Sequence, residues 1–372
     1  MATTASSPSW ADGETAVTGQ GSGIVLHFRD IGINDRPTVG GKGASLGELT
    51  QAGIRVPPGF VVSTRAFERF LAGIDPQGLI RRAIEGLAAE DLSAILNITE
   101  GIRERVASAP MPAEIQDAIM AGYADLCAGK DLPVAVRSSA TSEDSGEASF
   151  AGLQDTYLWI CGGDGVLRAV RDCWASLYSS ESVSYRLRLR LPEEGLAMGV
   201  VVQRMVNSRC SGVMFTRSPL TGDRSVIVIE SSWGLGSAVV SGVVTPDKYV
   251  VNKVTSEIVK RTVSHKAVAH VPDLAAGGVR EEAVPTERRD VACLGDGQIV
   301  ELARVGKLVE GHYRCPQDIE WAFAPDGSGE SLFILQSRPE TIWANKEAKP
   351  AAVPKARAFD HVFDLLGGRS KT

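Results

Sequence analysis

Residues 315–339, reading CPQDIEWAFAPDGSGESLFILQSRP, constrain this chain more than any other stretch. Asp318, Ile319, Glu320, Trp321, Ala322 and Phe323 alternate polar with apolar side chains, as a half-buried strand does. Residues 325–329 (PDGSG) carry turn chemistry, and residues 331–336 (SLFILQ) resume as a second strand. The pattern predicts a hairpin. Glu320 precedes its turn, while Gln336 and Arg338 follow it two residues apart and so share a face. Strand pairing would bring a carboxylate, an amide oxygen and a guanidinium to one place. A hard divalent cation wants the first two, and a phosphate beside it wants the third. An edge hairpin with outward charges has the same pattern, so other segments must decide between the two.

The 372 residues are enough for two domains with their own cores. With 44% hydrophobic and 23% charged residues, the chain has the balance of a soluble globular enzyme. A net charge of −6 disfavours nucleic acid or an anionic membrane as the main partner, while leaving room for a locally basic pocket. The six cysteines, at positions 127, 161, 173, 210, 293 and 315, form no CxxC pair and adjoin no histidine cluster, which suits reduced thiols. No apolar run has the length of a membrane span, and the N-terminus lacks a basic-then-apolar leader. The expected location is the cytoplasm.

Residues 1–22 are small and polar and are expected to be a disordered tail. A strand is expected at 24–28. Gly40-Gly41-Lys42-Gly43 then forms a glycine turn entering a helix that stops at Gly53. The start of such a helix favours an anion, and Lys42 adds a full charge there; the spacing is not that of a Walker A loop. Thr64 caps a further helix, and three amphipathic helices with core-facing stripes fill residues 78–127. The apolar strand at 132–136 delivers Arg137-Ser138-Ser139-Ala140-Thr141-Ser142-Glu143-Asp144, read as a ligand loop continuing to Gln154 with Gly146 and Gly152 as hinges. An arginine leaving a core strand needs an anion or water.

Two helices follow the strand at 155–160, and Arg186, Arg188 and Arg190 read as a solvated basic face. From residue 198 the texture is β-rich, with Ser231-Ser232-Trp233-Gly234-Leu235-Gly236 as a second glycine-rich loop and a helix at about 296–310. Residues 346–372 read as a linker and an amphipathic helix at 359–366.

Taken in order, Gly40-Gly41-Lys42-Gly43, Val136-Arg137-Ser138-Ser139, Gln203-Arg204-Met205-Val206, Ser232-Trp233-Gly234-Leu235-Gly236 and Gln317-Asp318-Ile319-Glu320-Trp321 to Gln336-Ser337-Arg338-Pro339 resemble a known group. The chain is similar, over about residues 24–343, to the ATP-binding part of the phosphoenolpyruvate synthase, pyruvate phosphate dikinase and rifampicin phosphotransferase group. The resemblance implies an α+β chain of ATP-grasp fold, with two subdomains at 23–195 and 196–345 and the nucleotide cleft between them. It implies that Lys42, Arg137 and Arg338 contact the phosphates of ATP. Gly152, Gln203, Met205 and Val206 would complete the nucleotide site, the last three lining the adenine slot. Glu320 and Gln336 would hold Mg2+.

In that group ATP gives its β-phosphoryl to a histidine, with AMP and phosphate as products, and a swinging domain carries the phosphohistidine to a second site. His27, His265, His270, His312 and His361 lack the glycine- and threonine-rich context of such a histidine. The resemblance therefore implies a separate partner subunit carrying it, an arrangement similar to phenylphosphate synthase. Two departures stand near the metal site: Arg314 replaces the group's more usual glycine, and the turn between Glu320 and Gln336 is lengthened. The rival readings are a small-molecule kinase releasing ADP, a nucleotide sensor without turnover, and a purely structural subunit.

Overall fold

The computed structural model describes residues 23–141, 155–325, 330–341 and 343. In chain order, β1 (Val25–His27) leads through two 3-10 turns to α1 (Arg36–Gln51). Then come β2 (Gly59–Val62), α2 (Thr64–Ile74), α3 (Leu79–Glu85), α4 (Leu92–Ser108) and α5 (Ala113–Leu126). The strands β3 (Val134–Ala140) and β4 (Thr156–Ile160) precede α6 (Gly163–Ser176), α7 (Ser180–Leu189) and β5 (Met198–Arg204). Next are β6 (Cys210–Phe215), β7 (Val226–Trp233), α8 (Ser237–Val240), β8 (Asp247–Asn252) and β9 (Ile258–Thr262). The chain continues with β10 (Val268–Pro272), β11 (Val279–Ala283), α9 (Thr286–Arg289), α10 (Asp296–Tyr313), β12 (Gln317–Pro325) and β13 (Glu330–Pro339). The architecture is α+β.

The first half builds an antiparallel sheet of order β1-β2-β5-β3-β4. Its central strands are continuously apolar because both faces are covered. Phe60, Val62, Val200 and Val202 pack with Phe67, Phe70 and Trp174 of the flanking helices, while Val61 and Val201 point the other way onto Val39, Ala44 and Leu46 of α1. The helical stripes bury Ile80, Ile84, Ile95, Ile102, Ile115 and Ile119, but Leu79, Leu92 and Leu96 of the same stripes face solvent. Ser63, not Thr64, takes the N-cap position of α2. Arg186 is not part of a solvated face: it is buried, bonded by Nε and Nη2 to the Glu193 carboxylate at 2.7 and 3.2 Å and by Nη1 to Leu177 O. A desolvated guanidinium is stable there because its donors are met.

The second half builds a sheet of order β13-β12-β6-β7-β8-β9, also antiparallel. One face is apolar: Met214, Ile227, Ile229, Tyr249, Ile319, Trp321 and Phe323 pack with Ile299, Leu302 and Val309 of α10. The other face carries Glu320, Glu230 and Lys248, all half-buried. β7 runs on through Ser231, Ser232 and Trp233, residues expected in a loop, because each finds a partner on β6. A two-stranded ribbon, β10–β11, meets the end of β7 where Leu235 N donates to His270 O at 2.9 Å, and the segment entering it is anchored by a fully buried ion pair, Lys266 Nζ to Asp247 Oδ1 at 2.5 Å. Among the described residues no helix is long and apolar enough to cross a membrane.

The chain passes from the first sheet to the second at 205–209, because β5 lies between β2 and β3 in the first sheet. α1 returns the connection. Its Leu49 is buried in the second core, and Ile334 N donates to Arg55 O at 2.9 Å just beyond it. The expected tail at 1–22, the linker at 346–358, and the helix at 359–366 with His361 lie outside the described residues.

Candidate functional site

The glycine segment performs one local task. Gly40 sits at φ 72, ψ 176 inside α1, so the helix breaks there and restarts with Lys42 in its first turn. No other residue fits: a Cβ at Gly40 would lie 2.0 Å from Ser139 O. Ser139 stitches this turn to β3, its hydroxyl donating to Val39 O at 2.9 Å and accepting from Gly43 N at 3.1 Å. Lys42 Nζ donates to Ser138 O at 3.0 Å. Residues 137–140, expected in a loop, are thus strand, and Ser138 and Ser139 are buried. Backbone pairing to β5, the Ser139 hydroxyl bonds to α1 and the Ser138 hydroxyl bond to Asp155 O satisfy them there.

Arg137 on β3 lies opposite Thr156 of β4, and its side chain is only 11% exposed. It reaches the other sheet. Nη1 donates to Gln336 Oε1 at 3.3 Å, Nη2 lies 3.5 Å from Glu320 Oε2, and the buried Nε has no hydrogen-bond partner among the described residues. A guanidinium with an unmet buried donor is prepared for a further acceptor.

The hairpin forms as the alternation predicts, and Glu320 and Gln336 are direct cross-strand partners. That pairing depends on a bulge. Trp321 pairs with Ile334, so continuing the same register would set Leu335 opposite Glu320; the irregularity between Glu320 and Trp321 sets Gln336 there instead. One step further out Asp318 faces Arg338, with Arg338 Nε 3.6 Å from Asp318 Oδ2. The register continues from Glu320 through Val213 of β6 to Glu230 of β7 and Lys248 of β8, so these side chains share the cleft-side face. Lys248 Nζ donates to Glu230 Oε1 at 3.2 Å. Thr156, Asp318, Glu230 and Lys248 escape a reading of sequence, because only the pairing register sets Thr156 opposite Arg137, Asp318 opposite Arg338, and Glu230 and Lys248 on the sheet face of Glu320.

The remaining expected residues lie where the sheets join. Gln203 is buried in β5, its Nε2 donating to Pro57 O at 3.3 Å. Met205 and Val206 are half-buried in the crossing, with Met205 N donating to Pro133 O at 2.9 Å. Gly152 lies outside the described residues. Arg314, where a glycine was the expectation, is left-handed at φ 57, ψ 22 and ends α10, which is why glycine suits the position.

Among the described residues no three His, Cys, Asp or Glu side chains gather as a metal cluster. The Glu320 carboxylate and the Gln336 amide oxygen converge on one guanidinium, so the two hard oxygens already point at one cationic charge. Such a pair fits a magnesium ion that takes its other ligands from phosphate and water.

A family model described as pyruvate phosphate dikinase, AMP/ATP-binding domain, matches residues 36–358. A probable phosphoenolpyruvate synthase of Methanothermobacter thermautotrophicus is 43% identical over 320 residues, covering 85% of this chain and 46% of the relative. The phosphoenolpyruvate synthase of Pyrococcus furiosus is 40% identical over 384 residues, covering 92% and 47%. A rifampicin phosphotransferase of Streptomyces sp is 41% identical over 319 residues, covering 86% and 36%. The chain spans less than half the length of these relatives. It belongs to the pyruvate phosphate dikinase AMP/ATP-binding domain family.

Proposed function

We propose that this chain is the ATP module of a phosphotransferase: an ATP-grasp unit of two lobes, residues 23–204 and 205–343, that holds Mg–ATP in the cleft between its sheets. The observation that carries the reading is Arg137, which spans that cleft to both oxygens of the bulged pair Glu320 and Gln336. Lys42, Arg137 and Arg338 bind and orient the triphosphate, Gln203, Met205 and Val206 border the adenine, and Gly152 belongs to the loop that covers the phosphates. Magnesium, held by Glu320 and Gln336, supplies charge neutralisation on the phosphate oxygens. The protein's own work is positioning and electrostatic stabilisation, with no nucleophile required from this chain.

The acceptor is a histidine on a further domain or a partner subunit. Its nitrogen bonds to the β-phosphorus as the bond to the α-phosphate breaks and AMP leaves. The γ-phosphoryl goes to water, so that ATP, histidine and water give phosphohistidine, AMP and phosphate. The four histidines among the described residues support an external acceptor, since each is engaged elsewhere. His312 meets Glu48, His270 meets Ser237, His265 meets Asp290 and His27 lies near Asp125. A split arrangement similar to phenylphosphate synthase is the form proposed. Phosphoenolpyruvate or rifamycin chemistry is the second reading, favoured by the names of the relatives.

Incubating the protein with ATP labelled at the β-phosphorus and its histidine-bearing partner tests the proposal. Label on the partner's histidine together with AMP is the expected result; ADP as product would assign the chain to simple kinases.

A further inference from the structure

We propose that Ser45 and Tyr313 are positioning residues whose hydroxyls clasp the helix carrying Lys42 to the strand carrying Gln336 and Arg338, so that both sheets address one triphosphate. The inference rests on the reading of the cleft given above and adds the device that sets its width.

Lys42 and Ser45 lie three residues apart on α1, one above the other on the same helix face. Ser45 Oγ donates to Ser337 O at 2.7 Å, and Ser337 is the residue between Gln336 and Arg338. The Tyr313 hydroxyl, from the end of α10, lies 3.3 Å from both the carbonyl oxygen and Oγ of Ser45. Ser45 and Ser337 are both buried, so water does not compete for these bonds. Burial pushes the Tyr313 phenol up to about 12, which keeps it a neutral donor at any working pH.

The strand end of the clasp is held in turn. Ser337 Oγ donates to Gln317 Oε1 at 2.8 Å, and Gln317 N donates to Thr216 Oγ1 at 2.8 Å. One turn along α1, Glu48 Oε1 meets His312 Nε2 at 2.7 Å, a second tie from α1 to the end of α10. The clasp differs from the Arg137 bridge in its fate on binding. Arg137 must exchange its contacts with Glu320 and Gln336 for phosphate, whereas the Ser45 bonds use backbone and hydroxyl atoms that no ligand replaces. They can therefore fix the distance between Lys42 and the Gln336–Arg338 strand in both states.

Calorimetric titration of the full chain with ATP and, separately, with AMP in Mg2+ decides the matter, because AMP lacks the phosphates that Lys42 and Arg338 would meet. Ser45→Ala and Tyr313→Phe are each expected to weaken ATP binding about three- to tenfold and leave AMP binding within about twofold. Lys42→Ala should show the same selective loss, only larger. If Lys42→Ala separates ATP from AMP but the two clasp variants do not, or weaken both ligands equally, the clasp is overturned and the cleft reading stands. If Lys42→Ala itself fails to separate them, the cleft reading falls and takes the clasp with it. Should Ser45→Ala not fold, Tyr313→Phe, which removes a single oxygen atom, decides alone.

Discussion

Arg137 and Glu320 come from different sheets and meet across the cleft, guanidinium Nη2 to carboxylate Oε2 at 3.5 Å, with Gln336 Oε1 taking the neighbouring Nη1. The guanidinium thus stands between the two oxygens proposed to hold the metal. Arg137→Gln removes that charge together with a phosphate donor. ATP binding should weaken about tenfold or more, while Mn2+ alone binds at least as tightly as to the unaltered protein. Separate titrations with Mn2+ and with ATP check this. Loss of Mn2+ affinity would mean that the guanidinium organises the two oxygens and does not compete for them.

Glu320→Gln keeps shape and removes charge. With the histidine-bearing partner present, the Mg2+ concentration needed for half-maximal ATP turnover should rise at least about tenfold, since the proposed site would lose its one anionic oxygen ligand. A magnesium titration of turnover reads the shift, and an unmoved midpoint would place the metal elsewhere.

Gly40→Ala sets a Cβ 2.0 Å from Ser139 O at a φ of +72. The substitution should cost at least about 2 kcal/mol in urea unfolding, through both strain and clash. Because the break at Gly40 starts the helical run carrying Lys42, ATP affinity should fall with it. A neutral variant would show that the turn can relax without that geometry.

Arg314 pays a left-handed penalty that glycine would not. Arg314→Gly is expected to stabilise the protein by about 0.5–1 kcal/mol in the same assay. No gain would mean that the arginine side chain makes a compensating contact.

Glu48 titrates below its ordinary value of 4.5, chiefly because its carboxylate accepts the Ile33 backbone N–H and then because His312 lies beside it. A depressed carboxylate contributes stability above its unfolded value and loses it as pH falls through the folded value. Compared with Glu48→Gln, the unaltered protein should therefore melt higher at neutral pH, and the gap should close below about pH 4.5. Melting curves across that range check the sign; a gap that widens in acid would refute it.

The hairpin and the glycine break that frame the candidate site are legible in the sequence because they are local. The Asp318–Phe323 alternation gives β12, the spacing of Gln336 and Arg338 gives their common face, and Gly40 next to Lys42 marks a break at a helix start. What is hidden is register. No pattern shows that a bulge exchanges Leu335 for Gln336 opposite Glu320, or that β5 inserts between β2 and β3 and moves the crossing to 205–209. Residues 137–140 look like a polar loop because the partners that Ser139 and the Arg137 Nη atoms meet are distant in sequence: Val39, Gly43, Glu320 and Gln336. Arg186 misleads for a different reason: its partner Glu193 is close in sequence but meets it only after α7 has ended.

A crystal structure with Mn2+ and a non-hydrolysable ATP analogue tests the shared triphosphate site most directly, because anomalous scattering locates the metal. The expected result is one manganese peak within about 2.3 Å of oxygens from both Glu320 and Gln336, with Lys42, Arg137 and Arg338 turned to the phosphates. A metal bound away from that oxygen pair, or a nucleotide whose phosphates touch only one of the two sheets, would contradict it.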